Sequence, residues 1–323
     1  MARVALLSNP RATGNKSLLP RVRSFCAEHA DIFHYEVERA DQIGIAMTRI
    51  ARVKPKVLII NGGDGTVQAA LTEIYNSGHF GDKPPPVAVL PNGKTNLIAL
   101  DLGAGGDALE TLERVLELAR SDLDPHIVQR ELIALTGGTA TGKPVLGMFL
   151  GGAGLADTML YCRHNLYPLM PTGVAHALAL VLGLLGVILG AWASFLPPRP
   201  NRLRVSVLKQ GELHGQFAFL MVTTLQRLLF KGNMPGAGPR TGKMQILVIE
   251  RDFRALVGCL IEAIRGKLGR RRLRGVHLER GDEIQIEGER QSVILDGELF
   301  QAEFGCPIVL KPTAPVSFLK LAA

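Results

Sequence analysis

Residues 56–66 read KVLIINGGDGT, and this stretch decides the fold of the first part of the chain. Its four consecutive apolar residues, 57–60, have the length and the β-branched content of a buried strand. The glycines that follow have no Cβ, so the backbone can turn sharply and approach a ligand closely. The residues after them have apolar side chains at helical spacing, with Thr66 as the predicted N-cap. The pattern predicts a buried strand that stops at Asn61, a glycine turn and a helix.

A strand, a glycine turn and a helix N-terminus together form a site that suits phosphate. Backbone N–H groups converge there, and the positive end of the helix dipole points toward the ligand. Asp64 lies inside the turn, where its carboxylate would repel a phosphate unless a cation lay between the two. We therefore expect Asp64 to hold Mg²⁺ that is carried by a nucleotide, directly or through water. The alternative is a tight turn in which the glycines serve the geometry and Asp64 serves as a cap.

The composition describes a folded protein with an excess of positive charge. A chain of 323 residues is long enough for two domains, and its 47% hydrophobic and 20% charged residues exclude a disordered chain. The 37 Lys and Arg residues against 29 Asp and Glu residues give a net charge of +8, which suits phosphate groups, an anionic membrane or nucleic acid. Aromatic residues amount to only 5% and do not alternate with the basic ones, so no nucleic acid is expected as a partner.

Cysteine usage and the N-terminal segment both favour a cytoplasmic protein. The four cysteines lie far apart and form no CxxC pair, so we expect isolated thiols rather than a metal cluster or disulfides. The first apolar run, residues 4–7, is too short for a signal peptide.

Strand-like and helix-like segments alternate up to about residue 123. This alternation predicts a parallel sheet that binds ligands beyond the carboxyl ends of its strands. The predicted strands are residues 4–7, 32–38, 57–60 and 87–90, and the predicted helices have apolar residues within 18–26, 43–50, 67–74 and 109–116. Three loops follow strands at the carboxyl edge, namely residues 8–16, 61–66 and 91–96.

The loop after the fourth strand places the glycine turn in a wider pattern. Residues 90–100 read LPNGKTNLIAL. Together with GGDGT, this stretch resembles the diacylglycerol kinase and sphingosine kinase superfamily, whose members have a proline, then glycine, threonine, a small residue, asparagine and aspartate at this point. Pro91, Gly93 and Asn96 fit that frame, whereas Lys94 replaces the threonine and Leu97 replaces the aspartate. A lysine can still reach phosphate as a point charge, and the alternative is a solvated loop lysine.

The resemblance implies an ATP-dependent lipid kinase, with ATP and Mg²⁺ at the three loops. NAD kinases share the GGDGT signature more distantly and lack the frame of the third loop, so an NAD kinase-like enzyme is an alternative. A non-catalytic lipid-binding or regulatory protein that retains the fold is another, because Lys94 and Leu97 depart from the frame. The implied nucleotide-binding residues are Asn9, Gly62, Gly63, Gly65, Thr66, Gly93, Lys94, Thr95 and Asn96, with Asp64 as a catalytic residue and metal ligand.

Short β-like runs dominate after residue 124 and indicate a mostly antiparallel second domain. The expected fold class is an α/β N-terminal domain with a parallel sheet, similar to NAD kinases and diacylglycerol kinases, plus a mostly antiparallel β C-terminal domain. We place a nucleotide-binding catalytic domain at residues 1–123 and a β-rich lipid-substrate domain at residues 124–323, with ATP in the cleft between them. The β-like runs are residues 127–135, 203–208, 216–223, 244–249, 283–286 and 292–295.

A second carboxylate motif, Asp296-Gly297-Glu298, follows a strand-like segment in the second domain. In the superfamily that the chain resembles, a carboxylate of this motif takes the proton from the substrate hydroxyl, because an alcohol is a poor nucleophile. We expect Asp296 to be this base and Glu298 to lie near the nucleotide, although the sequence alone does not settle which carboxylate is the base. The alternative is an aspartate–glycine hairpin turn without a catalytic role.

Two segments are candidates for bringing the protein to a membrane that contains its lipid substrate. Residues 174–196 carry no formal charge and are long enough to span a bilayer. A single span would separate Asp64 from the motif at residue 296, so we expect a helix that faces the membrane or lines a lipid pocket. Residues 252–268 form an apolar-striped helix, and six basic residues within 265–274 suit anionic lipid headgroups. The alternative for these cations is a solvated helix cap.

The expected partners are therefore a lipid substrate and an anionic membrane surface. The expected location is cytoplasmic, peripheral on the inner face of the membrane. The motifs identify neither the lipid nor the oligomeric state.

Overall fold

The computed structural model describes residues 3–93, 96–104, 106–137, 142–156, 202–208, 211–225, 242–288, 291–303 and 305–321. The chain forms two compact units. The first unit comprises residues 1–132, 143–147 and 313–323, and the second comprises residues 133–142 and 148–312.

The first unit is built on a mainly parallel sheet with helices. Its strands are β1 (Val4–Ser8), β2 (Ile32–Glu36), β3 (Val57–Gly62), β4 (Val87–Pro91), β5 (Ile127–Arg130) and β17 (Val316–Leu319), in the order β2-β1-β3-β4-β17-β5. The first four pair in parallel, β17 pairs in parallel with β4, and β5 pairs antiparallel with β17. The helices of this unit are α1 (Asn15–Glu28), α2 (Ile43–Val53), α3 (Asp64–Ser77), α4 (Leu97–Asp101) and α5 (Ala108–Arg120).

The core of the first unit follows from the continuous apolar strands. Every residue of β1 and β3 is buried, as expected for strands covered on both faces. Helix α5 buries one amphipathic stripe, including Leu112 and Val115, against this sheet, and its N-cap Asp107 accepts a hydrogen bond from the Leu109 N–H. Leu319 of β17 joins the same core. The short strand β7 (Val145–Gly147) packs on α3, where the Leu146 N–H donates to Thr72 Oγ1 at 3.0 Å.

The second unit is built from antiparallel strands. These are β6 (Ile133–Thr136), β8 (Phe149–Gly152), β9 (Arg202–Val207), β10 (Gly211–Thr223), β11 (Met244–Glu250), β12 (Val276–Gly281), β13 (Ile284–Gly288), β14 (Gln291–Leu295), β15 (Glu298–Ala302) and β16 (Ile308–Pro312). The path of neighbouring strands runs β15-β14-β8-β10-β9-β13-β16-β6, and β11 pairs with both β10 and β12. Helix α6 (Phe253–Ile264) packs on β11 and β12 around a core that includes Met221, Leu247 and Cys259.

The structure confirms the fold class that the sequence predicts, an α/β part with a parallel sheet and a largely antiparallel part. Three local expectations are wrong. Strand β3 continues through Asn61 to Gly62, because both residues pair with β4. Helix α3 starts at Asp64 with Gly63 as its N-cap, so Thr66 lies inside the first turn. The helix expected at 252–268 ends at Ile264, since Gly266 has a φ of +63°.

The β-like run predicted at 127–135 is two strands that belong to different units. β5 pairs with β17 in the first unit, whereas β6 pairs with β16 in the second. The domain boundary predicted at residue 123 would place β5, β6 and β17 together in the second domain. In the structure, β17 lies in the first unit because its backbone pairs with β4 and β5.

The uncharged segment 174–196 lies outside the described residues. Among the residues that the structure describes, no helix has both the length and the apolar character needed to cross a membrane.

Candidate nucleotide-binding site

Three loops of the first unit start side by side at the carboxyl edge of its sheet. In the strand register, Ser8 at the end of β1 lies opposite Asn61 of β3. Gly62 of β3 in turn lies opposite Pro91 at the end of β4. The parallel pairing therefore brings together the three loops that the sequence predicts to meet, those after β1, β3 and β4.

Buried asparagine side chains connect these three loops. Asn15 Nδ2 donates to the carbonyl oxygens of Asn9 at 2.8 Å and of Asn61 at 3.1 Å. Asn92 Nδ2 donates to Asn15 Oδ1 at 3.0 Å and also to Asn61 Oδ1. Asn61 Nδ2 donates to Ser8 Oγ at 3.1 Å. Because Asn15, Asn61 and Asn92 are 1%, 0% and 5% exposed, this asparagine network lies in a low-dielectric interior where its loss would be costly.

The asparagine network extends to a half-buried histidine on β2. His34 Nε2 lies 2.9 Å from Ser8 Oγ, the atom that also accepts the hydrogen bond from Asn61. Burial lowers the pKa of His34, and the nearby Arg23 lowers it further, while Glu36 opposes the shift. The neutral imidazole is therefore the form that the fold favours at this end of the network.

The N-terminus of α3 lies between the loops. Gly63 caps the helix, and its carbonyl oxygen accepts hydrogen bonds from the N–H groups of Thr66 at 2.9 Å and Val67 at 3.1 Å. Asn9 Nδ2 donates to Thr66 Oγ1 at 2.9 Å, so the first loop is attached directly to this helical turn. Asp64 is the first residue of the helix and is half-buried. A carboxylate and a positive helix end thus share one corner of the sheet edge.

Glycines allow the loops to approach one another closely. A Cβ on Gly93 would lie 2.8 Å from the Gly63 Cα, and a Cβ on Gly62 would lie 2.8 Å from the Thr66 Cβ. A Cβ on Gly63 would meet only the Gly93 Cα, at an ordinary distance of 3.6 Å, and the backbone of Gly63 is extended with φ −82° and ψ 174°. The fold therefore requires glycine at 62 and 93, but it does not require glycine at 63.

The loop after β4 is shaped by Asn96. This residue adopts a left-handed conformation with φ +53° and caps α4. Its Oδ1 accepts a hydrogen bond from the Gly93 N–H at 2.6 Å, and its Nδ2 donates to the Pro91 carbonyl at 3.1 Å. Asparagine is among the few residues that tolerate this φ and can also close such a loop. Lys94 and Thr95 lie outside the described residues.

The second carboxylate motif forms the turn between β14 and β15 in the second unit. Asp296 is 7% exposed and adopts a φ of +47°. Its two carboxylate oxygens accept hydrogen bonds from the backbone N–H groups of Met148 at 3.0 Å and Phe149 at 2.9 Å. Its own N–H donates to the Phe149 carbonyl at 2.9 Å. Glu298, the first residue of β15, is exposed.

The described residues contain no cluster of three or more histidine, cysteine, aspartate or glutamate side chains that would hold a metal ion. A single carboxylate such as Asp64 can still complete the coordination of a cation that arrives with phosphate, since Mg²⁺ commonly takes one or two protein carboxylates together with phosphate oxygens and water.

The structure thus brings together most of the nucleotide-binding residues predicted for the first unit. Asp296 and Glu298 lie in the second unit. Sequence reasoning missed the buried partners Ser8, Asn15, Asn61 and Asn92. A sequence pattern that could have predicted these partners is the recurrence of asparagine in all three loops that follow the central strands. The residues brought together are Asn9, Gly62, Gly63, Asp64, Gly65, Thr66, Gly93 and Asn96.

The fold and the loops define the class of this domain. Residues 3–126 match the family model of the diacylglycerol kinase catalytic domain, and the match contains all three loops. This match agrees with the resemblance to the diacylglycerol kinase superfamily that the sequence motifs carry.

Solved structures from Bacillus anthracis str. Sterne have the same fold over nearly the whole chain. One is a crystal structure of a protein that carries the provisional name diacylglycerol kinase. Its TM-score is 0.64 at 16% sequence identity, and the alignment covers 97% of this chain and 94% of that chain. Another, a crystal structure of a diacylglycerol kinase, has a TM-score of 0.59, 16% identity and coverage of 96% and 94%. At this identity the similarity shows the fold alone. No curated protein matches the sequence.

Proposed function

We propose that the protein is an ATP-dependent lipid kinase that transfers the γ-phosphoryl group of ATP to the hydroxyl of a diacylglycerol-like or related lipid. The observation that carries this proposal is the backbone at Gly63. The fold leaves room for a Cβ at this position, and yet the chain has glycine there, at the N-terminus of α3 and beside a carboxylate. A ligand that approaches the backbone at this point accounts for the missing side chain. The match of residues 3–126 to the diacylglycerol kinase catalytic domain supports the same reaction class.

The residues of the first unit fit a nucleotide that carries a divalent cation. When bound, ATP supplies the transferable phosphoryl group and Mg²⁺ neutralises part of its charge. The N-terminus of α3 favours an anion, while Asp64 disfavours one unless a cation is present, so the pair selects a phosphate with its metal. Asn9 and Asn96 hold the flanking loops in place through Thr66 and Gly93. Positioning of this kind is the main contribution of a protein to phosphoryl transfer.

The motif in the second unit is proposed to supply the base for the lipid hydroxyl. The sequence predicts Asp296 as this base, but both oxygens of its carboxylate accept hydrogen bonds from backbone N–H groups. Glu298 is two residues further along and is exposed. We therefore assign proton removal to Glu298, and we assign to Asp296 the positioning of the turn that carries it. Both residues remain essential in this scheme, for different reasons.

A kinase for a long-chain lipid has to work at a membrane. Each methylene group that leaves the bilayer for water costs about 0.8 kcal/mol, so the lipid stays where it is. We therefore propose that the protein is cytoplasmic and binds peripherally to the inner face of the membrane, where ATP is available.

The central test is replacement of Asp64 by asparagine, followed by turnover of radiolabelled ATP with a panel of lipids dispersed in detergent micelles. We expect the wild type to phosphorylate a member of the panel and D64N to be slower by a hundredfold or more, a size on the order of losing one preorganised electrostatic contact. The thermal midpoint of D64N should stay close to that of the wild type. The matched control is Asp82→Asn, an exposed aspartate in the loop after α3, which should retain full activity.

Other outcomes of this assay would reject the proposal in distinct ways. Undiminished turnover by D64N would remove Asp64 from the site. Phosphorylation of NAD alone would favour an NAD kinase-like enzyme. Tight lipid binding without phosphorylation of any panel member would favour a non-catalytic lipid-binding protein, consistent with the departures at Lys94 and Leu97.

A further inference from the structure

Helix α6 in the second unit is apolar on two opposite faces. Ala255 and Cys259 lie on the buried face and belong to the core formed with strands β10 and β11. The other side of the helix exposes four large apolar side chains. These are Phe253, Leu260, Ile261 and Ile264, which are 43%, 39%, 41% and 78% exposed.

The four exposed side chains form one stripe along the helix. Residues spaced by three, four or seven positions share a helical face. Leu260 lies seven positions after Phe253, and Ile264 lies four positions after Leu260 and three after Ile261. A helix in a water-soluble protein normally has polar residues on the face opposite its core, whereas α6 presents a second apolar face. A contiguous exposed apolar surface of this kind marks an interaction site.

A dense group of cations follows directly after this stripe. The segment 265–274 contains six basic residues and no acidic residue. It is anchored to the second unit by Leu268, which is buried in the same core as α6. In the part of the chain that the structure describes, this segment forms one ion pair, in which Arg265 Nη1 lies 3.8 Å from Glu262 Oε1. The basic side chains are Arg265, Lys267, Arg270, Arg271, Arg272 and Arg274, all of them exposed.

We propose that the exposed stripe of α6 and the basic segment 265–274 form one docking surface for an anionic lipid bilayer. Apolar side chains next to a cluster of lysine and arginine are the combination with which interfacial helices insert into a membrane that carries negative headgroups. A second copy of the chain would satisfy the apolar stripe but would bring the same excess of positive charge. An anionic bilayer satisfies both parts of the surface.

The biological purpose of this docking rests on the proposed function, because docking would place a lipid kinase at its substrate. The binding itself is measurable without turnover. The two parts of the surface should also respond differently to salt, since ionic attraction is screened at high ionic strength and burial of apolar side chains is not.

The experiment is flotation of the full-length protein with vesicles of phosphatidylcholine alone or of phosphatidylcholine with phosphatidylglycerol. The apolar variant combines Leu260→Gln, Ile261→Gln and Ile264→Gln, because glutamine is compatible with a helix. The basic variant combines Arg270→Gln, Arg271→Gln, Arg272→Gln and Arg274→Gln. The controls are Ile45→Gln, at a site that is 59% exposed on α2, and Lys83→Gln, an exposed lysine of the first unit. Each protein is also checked for its thermal midpoint and its mass in solution.

The expected results separate the two contributions. The basic variant should lose at least tenfold in affinity for anionic vesicles at about 0.05 M salt, since each basic residue near the surface contributes about fivefold, and should equal the wild type at about 0.5 M salt. The apolar variant should lose at least tenfold at both salt concentrations. Neither control should differ from the wild type.

Three results would overturn the proposal. Equal flotation of wild type and both variants would remove this surface from membrane binding. A large fall in the thermal midpoint of the apolar variant, with unchanged affinity for vesicles, would show that another segment of the chain covers the stripe. A wild-type dimer that the apolar variant dissociates, again with unchanged flotation, would assign the stripe to a second copy. Lipid phosphorylation in detergent micelles is independent of these outcomes, so failure of docking and failure of the kinase proposal are distinguishable.

Discussion

The chain contains two short turns with nearly the same composition, Gly63-Asp64-Gly65 in the first unit and Asp296-Gly297-Glu298 in the second. Their aspartates have different environments. Asp64 is half-buried and begins a helix, with ordinary backbone geometry at the residue before it. Asp296 is buried, has a φ of +47°, and its carboxylate accepts two backbone N–H groups from the start of β8.

This difference shows that a motif does not by itself say which carboxylate takes part in chemistry. In the second turn the aspartate carboxylate accepts two backbone N–H groups, whereas Glu298 is exposed. In the first turn the asparagine network and Thr66 hold the backbone from neighbouring loops. The following experiments test this division of roles.

The largest effect is expected when the two carboxylates of the second turn are compared. Asp296→Ala would leave the N–H groups of Met148 and Phe149 without their acceptor, at a cost of about 2–5 kcal/mol in the free energy of unfolding. Glu298→Gln should change that free energy by less than about 0.5 kcal/mol and should lower the turnover number by about a hundredfold. Thermal unfolding and lipid phosphorylation measure the two quantities. A fully stable but inactive D296A would return the role of base to Asp296.

The next effect concerns the asparagine network that fixes the first turn. Asn92→Leu removes the amide that donates to Asn15 and Asn61, and should cost about 2–3 kcal/mol of stability because buried acceptors lose their partner. It should also weaken ATP binding, since the loops would no longer be held together. The same change at Asn15 should be strongly non-additive with it in a double-mutant cycle. Additive effects would mean that the loops are held independently of one another.

A smaller effect separates the glycines that the fold needs from the glycine that a ligand needs. Gly62→Ala places a Cβ 2.8 Å from the Thr66 Cβ and should lower stability by about 1–3 kcal/mol. Gly63→Ala meets only an ordinary contact, so its cost should be limited to the weaker N-cap, below about 1 kcal/mol, while ATP affinity should fall about tenfold. Calorimetric titration with ATP and Mg²⁺ measures the affinity. Normal binding by G63A would mean that phosphate does not approach this part of the backbone.

The smallest effect is expected from pH and acts through His34. Burial lowers the pKa of this imidazole in the folded protein, so the unfolded chain binds a proton at a higher pH than the folded chain does. The stabilisation is therefore complete above the ordinary histidine pKa of about 6.5, and it is lost as the pH falls through the lower pKa of the folded state. The difference in thermal midpoint between wild type and His34→Gln should shrink from pH 8 to pH 5. A constant difference would show that the pKa of His34 is the same in the folded and the unfolded chain.

The sequence predicts the first unit well where the information is local. The apolar run before the glycines specifies β3, and the apolar spacing after them specifies α3, so the strand, the glycine turn and the helix are predictable without a structure. Asn15 and Asn92 carry no such signal, because a polar residue in a loop is expected to face solvent and their partners are 46 and 77 positions away. The exposed stripe of α6 was also hidden, since apolar periodicity does not show which side of a helix the protein covers.

The position of β17 is the least predictable feature from sequence and has a consequence for how the protein is made. The strand lies between β4 and β5, whereas the whole of the second unit precedes it in the chain. During translation, β1 to β4 leave the ribosome first, but β17 joins their sheet beside β4 only after residues 316–319 have emerged. A prematurely terminated chain would leave β4 as an open edge, which invites association with other chains. The sheet that carries the three loops therefore depends on a strand far along the chain, and we expect a product that ends before β17 to be recognised by chaperones and proteases.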